Sequence, residues 1–145
     1  MSNIGLGKRE ENFKKYVEKH FGIKLPEGIE LFYVQGVRIG NAAIRASRIT
    51  GDLGYAACDA GFNPTNALAQ NFGHLAKKNT VSVTELEAKQ FAAGKGLKRD
   101  LGKASKFVIV KYYSHVIGLG HYSKDQKKIL NEIPEKRRRE IINSL

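Results

Sequence analysis

The residues best placed to do chemistry in this chain are cations set between glycines. Gly94 and Gly96 bracket Lys95, and Lys98, Arg99 and Lys103 follow in the same connection. Glycine lets the backbone approach a phosphate oxygen where a β-carbon would stand in the way, and such turns form anion-binding concavities. A second basic run, Pro134-Glu135-Lys136-Arg137-Arg138-Arg139, lies downstream. Between the two are apolar, aromatic-bearing segments, Lys106 to Tyr112 and His115 to Tyr122, whose pattern predicts a strand pair. Lys111 offers a further charge there, and Tyr112, Tyr113, His115 and Tyr122 offer rings on which unpaired bases stack. Alternation along a strand makes at least one of Tyr112 and Tyr113 a core residue. Arg137, Arg138 and Arg139 cannot all point one way on a helix, and Arg137 and Arg138 are assigned to the ligand.

The opposing reading is that Gly94 only stops a helix and that the lysines are a solvated loop, since charge runs usually face water. A net charge of +11 at pH 7 tips the balance toward a polyanion, because each neutralised phosphate releases condensed counterions. The choice is then between nucleic acid and an anionic membrane surface. No apolar run approaches the roughly 20 residues that span a bilayer. Met1 to Gly7 lacks the apolar core of a secretion signal, so the chain is expected to stay in the cytoplasm, with no membrane partner.

Other chemistries find little support. Cys58 is the lone cysteine, and with Ala56, Ala57 and Ala60 around it, it reads as a small buried residue rather than a nucleophile. His20, His74, His115 and His121 lack zinc-site spacing and cysteine partners, so no metal and no cofactor is expected. Gly118 and Gly120 begin a dinucleotide-like fingerprint, but the third glycine and the following helix are missing, and close packing of a neighbouring strand or of RNA explains them better. Asp52 and Asp59 could pair, yet turn aspartates are far commoner than catalytic ones. No catalytic residue is assigned.

The elements that must position these residues follow from periodicity. Phe13, Tyr16, Val17 and Phe21 recur at helical spacing, which predicts a helix over Glu10–Phe21 stopped by Gly22. Pro26-Glu27-Gly28 reads as a turn, Ile29–Val34 and Val37–Ile44 as strands, and Ile49–Ala57 as turn and short strand. A second helix is expected from Pro64, capped by Asn63, to about Lys77. Thr84-Glu85-Leu86-Glu87 fits a capping box, opening a third helix with Leu86, Phe91 and Ala92 on its buried face and Gly94 as its stop. Pro134 opens a basic helix to about Asn143, anchored by Ile141 and Ile142.

The order Val81-Ser82-Val83, a short helix, Ala92-Ala93-Gly94-Lys95-Gly96-Leu97, Phe107-Val108-Ile109-Val110-Lys111 and Val116-Ile117-Gly118-Leu119-Gly120 resembles a PUA domain. That is the RNA-binding pseudobarrel named for pseudouridine synthases and archaeosine transglycosylases. Phe62-Asn63-Pro64-Thr65-Asn66-Ala67-Leu68-Ala69 upstream and Ile129 to Arg138 downstream narrow the resemblance. Together they are similar to the PUA-like tail of Sun-family 5-methylcytosine RNA methyltransferases. The resemblance runs from about Arg45 onward and departs at Ser105-Lys106-Phe107, where such strands often carry glycine before the aromatic. The methyl-donor domain with its catalytic cysteines has no counterpart here, so the activity is not carried over.

The expected architecture is α+β, a small N-terminal α/β lobe over residues 1–78 followed by a PUA-type β pseudobarrel with short helices over 79–145. The resemblance implies a stand-alone, non-catalytic protein binding structured RNA, tRNA or rRNA, in RNA modification or ribosome biogenesis. Its partner would be an RNA methyltransferase or other modifying enzyme acting in trans. The rival is a docking module of a ribosome-assembly complex, using the Tyr16 helix or the Ile141 helix as its face. A third reading is an enzyme with its site in residues 1–60.

Overall fold

The computed structural model describes residues 7–26, 29–33, 36–40, 55–59 and 61–144. The expectations placed on Glu27 and Gly28, on Val34, on residues 41–54 and hence on Asp52 lie outside the described residues.

The chain opens with α1 (Lys8–Phe21), which buries Phe13, Val17 and Phe21 along one stripe. Glu10 and Glu11 in its first turn and Lys19 and His20 in its last complement the helix dipole. Gly22 ends it in the left-handed region with φ 68°, donating its N–H to Glu18. Strands β1 (Glu30–Tyr33), β2 (Val37–Gly40) and β3 (Tyr55–Ala56) form a three-stranded antiparallel sheet in that order. Gly36, at φ 125°, turns the chain into β2 where any β-carbon would collide with the Cys58 carbonyl.

The second helix, α2 (Asn66–Phe72), starts later than the sequence predicts and runs on through a 3-10 turn, Gly73–Leu75. Asn63 is not its cap. Asp59 takes the Asn63 N–H at 2.9 Å, and Asn63 returns its carbonyl to the Asp59 N–H, closing a turn that commits Asn63 elsewhere. Pro64 bridges to Cys58. The cap passes to Thr65, whose hydroxyl accepts the Leu68 N–H at 3.3 Å and donates to the Ala56 carbonyl at 2.6 Å.

A five-stranded sheet follows, built from β4 (Thr80–Ser82), β5 (Leu97–Lys98), β6 (Lys106–Tyr112), β7 (His115–Ser123) and β8 (Lys128–Asn131). Its spatial order is β4-β6-β7-β8-β5, curled into a half-barrel. β4 runs parallel to β6 and the remaining pairs are antiparallel. With the helices around it, this is an α+β fold. Helix α3 (Glu85–Ala92) connects β4 to β5, and α4 (Glu135–Ser144) follows β8 and contacts α3. The capping box forms as predicted, the Thr84 hydroxyl accepting the Glu87 N–H and the Glu87 carboxylate accepting the Thr84 N–H.

The large sheet is covered on both faces. Ile109 and Leu119 join Phe13, Val17, Phe21, Leu31, Ile39 and Leu68 in one core, while Val108, Val110, Ile117, Phe91, Ile129, Ile133 and Ile141 form another. A bulge reconciles Ile117 with this division. Lys111 pairs with Val116 but Val110 pairs with Gly118, so Ile117 is the extra residue and rotates into the second core. Two expected anchors are not buried: Leu86 is 66% exposed and Ile142 is also exposed, and each helix is held by its neighbours instead, Ala88 and Phe91 in α3 and Ile141 in α4. The C-cap of α3 is Ala93, with Gly94 one residue beyond at φ 102°.

Candidate nucleic-acid interface

Several cations gather around Gly94 and Gly96. After α3 the chain drops into β5, and Asn131 ties the loop down, its amide donating to Phe91 O at 2.6 Å and Lys95 O at 3.1 Å. The same side chain accepts the Ile133 N–H at 2.9 Å, fixing the entry to α4. Arg138 then reaches back from α4. Its Nε donates to the Ile133 carbonyl at 2.9 Å and its guanidinium lies over Gly94, so close that a β-carbon would sit 2.6 Å from Nη1.

Gly96 is filled in the same manner. The aliphatic stem of Lys128 lies on it, with Cε 2.6 Å from where a β-carbon would be. The expectation that the two glycines leave room for a phosphate is therefore corrected: the room is taken by the chain's own cations. Glycine here seats Arg138 and Lys128 rather than the ligand directly.

Strand register places Lys98 opposite Lys128 across the β5–β8 pair. Leu97 and Ile129 alternate with them and are buried, so both lysines stand on the outer face. Like charges directly opposite one another in a sheet destabilise it. Lys95, Lys98, Lys128 and Arg138 have no carboxylate partner among the described residues. Lys127 next to them does, with Asp100 at 3.8 Å. Lys103 is exposed in the β5–β6 connection, after the turn in which Asp100 accepts the Gly102 N–H.

The other predicted residues are placed differently. Arg99 is held by Glu87 at 2.9 Å, with both side chains about 30%/29% exposed, and reaches the Ser82 carbonyl. It braces the start of α3, so a charge reversal there disturbs the fold as well as any ligand. Arg137 pairs with Glu140 at 3.2 Å and donates to the Gln70 carboxamide at 3.2 Å.

Lys111, Tyr112 and His115 lie at the far end of the sheet. From His115 to Ser123, the partner of Lys128, β7 covers on the order of 25 Å. Lys111 turns toward the first core, where its amine donates to the Ala76 carbonyl at 3.4 Å and burial lowers its pKa. Tyr112 packs on the second core, which settles the choice between the two tyrosines: Tyr113 is the exposed one, at 83%, with φ 52° at the hairpin tip. His115 is exposed opposite Tyr112. Tyr122 is not a stacking platform. It is 1% exposed, and its hydroxyl accepts the Leu101 N–H and donates to Asp100.

Gly118 makes room for Ile133 and for Asn66 of α2, while Gly120 packs closely against the neighbouring strand β8, one of the two alternatives expected. A β-carbon on the first would lie 2.5 Å from Ile133 and 2.9 Å from the Asn66 carboxamide, and on the second 2.5 Å from Ile129. Cys58 is buried, and burial pushes its thiol pKa up, against nucleophilic use. Among the described residues no cluster of three or more His, Cys, Asp or Glu could hold a metal, and no helix is long and apolar enough to cross a membrane. Sequence reasoning missed Lys128. Its signal was available only through register, since nothing local distinguishes it from Lys124 or Lys127.

No model of a known protein family matches this chain, and no curated protein matches it in sequence.

Proposed function

We propose that this protein is a non-catalytic RNA-binding protein that recognises structured RNA, tRNA or rRNA, in the cytoplasm. It would serve RNA modification or ribosome biogenesis and present its ligand to an RNA methyltransferase or other modifying enzyme in trans. The observation that carries the reading is the Lys98–Lys128 pair. Two like charges set opposite each other, beside Lys95 and Arg138 and without a carboxylate among the described residues, lower stability unless an anion joins them. A nucleic-acid backbone supplies such anions in series. The resemblance to PUA domains adds RNA rather than DNA as the ligand and the modifying enzyme as the partner.

The docking-module rival would have to use other faces of the same two helices, because the anchor residues that mark them pack on the cores. Tyr16 packs against the first core and Ile141 is buried in the second.

The test is a titration against labelled tRNA, an rRNA stem-loop and duplex DNA of equal length, across a salt series. A preference for one RNA that persists above about 0.15 M salt supports the proposal, because non-specific phosphate binding weakens steeply over that range. Equal and salt-fragile binding to all three overturns it.

A further inference from the structure

A groove of ≈ 410 Å³ opens between α2 and the start of α4, lined by Asn66, Ala67, Gln70, Asn71, Pro134 and Arg137. Its volume falls in the range of roughly 300–1,000 Å³ common to small-molecule sites. Its chemistry differs from that of the lysine patch. Three of its six lining residues are carboxamides, and its one cation is already paired with Glu140.

Asn66 is the informative residue. It is 6% exposed, at the first position of α2, in the space left by Gly118. Its Oδ1 accepts the Leu119 N–H at 2.9 Å, and because that partner is a donor the carboxamide can face it only with oxygen. Nδ2 is thereby turned the other way and donates to no acceptor among the described residues. No described side-chain nitrogen or oxygen is both buried and unpartnered, so Nδ2 is not wholly buried, and Asn66 lines the groove. The groove is thus bordered by a residue whose fixed, nearly buried donor is unused.

The walls are equally fixed. Gln70 donates to the Ile117 carbonyl at 2.8 Å and accepts from Arg137 Nη2 at 3.2 Å, while Arg137 Nη1 meets Glu140 at 3.2 Å. Both ends of the guanidinium are held, which pre-organises its flat face, and its charge is offset. Asn71 donates its amide to the Ala67 carbonyl, which leaves its Oδ1 as an acceptor at the rim. Pro134 and Ala67 contribute apolar surface.

We infer that this groove receives one unpaired nucleotide, its base edge read by Asn66 Nδ2 and Asn71 Oδ1 and its face stacked on Arg137. The inference rests on the RNA-binding reading above and names the part of the RNA that this second surface takes. Unpaired bases are recognised in this way, by edge hydrogen bonds and by stacking on rings or guanidinium planes. An arginine held at both ends by Gln70 and Glu140 offers a base its flat face. Arg138, the next residue on α4, lacks an acid partner among the described residues and lies on the patch side, where the neighbouring phosphates would run.

The experiment is a titration of the full chain with the four nucleoside 5′-monophosphates and, separately, with inorganic phosphate, following the Asn66 side-chain NH₂ resonances by NMR. Mononucleotide affinity on the order of 1 mM is expected, as a single stacked base with two hydrogen bonds provides. The NH₂ pair should move with at least one nucleotide and stay still with phosphate. Arg137→Ala should weaken that response roughly fivefold or more. Ala67→Phe, which fills the groove from the α2 wall while leaving the Arg137 and Asn66 side chains themselves unchanged, should abolish it. An unmoved Asn66 in the parent, or an equal response to phosphate, overturns the inference. The two readings fail separately: RNA binding with a silent Asn66 removes only the groove, and a nucleotide response without RNA binding removes only the RNA assignment.

Discussion

The two ends of the five-stranded sheet carry similar sequence signals and opposite structures. At the β5–β8 end, Lys98 and Lys128 face each other on an outer surface, and Arg138 and Lys128 are seated on glycines that the chain leaves bare for them. At the β6–β7 hairpin end, Lys111 turns its amine inward to Ala76 and Tyr112 packs on the core, leaving Tyr113 and His115 outside. The contrast teaches that a count of basic residues does not locate a ligand. What separates the two ends is whether each charge has been compensated by the fold, and Arg99 next to Lys98 makes the same point by having Glu87.

The comparison can be broken most directly by reversing charge at each end. Lys98→Glu with Lys128→Glu should lower RNA affinity on the order of 100-fold at moderate salt and flatten the salt dependence by about two units of slope. Lys111→Gln, at the other end, should change affinity by less than about twofold, since its amine is already turned to a carbonyl. Equal losses from both, in parallel filter-binding series, would erase the distinction between the ends.

The two arginines sharpen it next. Arg138→Ala should cost roughly tenfold in RNA affinity, whereas Arg99→Ala should leave binding within about twofold. The second variant should instead lose about 0.5–1 kcal/mol of stability in urea, the scale of a partly exposed ion pair.

A smaller effect reads the brace through pH. The Thr84 N–H, and then Arg99, hold the Glu87 carboxyl below its ordinary value against the opposing effect of burial. A group depressed in the folded state stabilises above its unfolded value, about 4.3, and that contribution is lost as pH falls through the folded value. Melting temperature should therefore decline on acidification below that region, and Glu87→Gln should show a shallower decline over the same window.

Much of this was legible in the sequence. The capping box at Thr84, the Gly22 stop and the β6–β7 pair are local signals, each contained within a few residues, and they formed as read. What was not legible depended on distant contacts. Asn63 lost its capping role to a turn with Asp59, Leu86 faces solvent because Ala88 and Phe91 suffice to seat α3, and Ile117 changes face at a bulge. Lys128 joins the patch only because β8 lies between β7 and β5, and the Asn66 groove exists only because α2 and the start of α4, far apart in sequence, come together.

The central claim is that the Lys98–Lys128 opposition is kept for a ligand at a cost in stability. Lys98→Glu tests it alone, because it converts a like-charge cross-strand pair into an opposite-charge one. Urea unfolding and RNA titration on this single variant should move in opposite directions: stability up by about 0.2–1 kcal/mol and RNA affinity down. Unchanged RNA affinity in a folded variant would contradict the account, whatever the stability did.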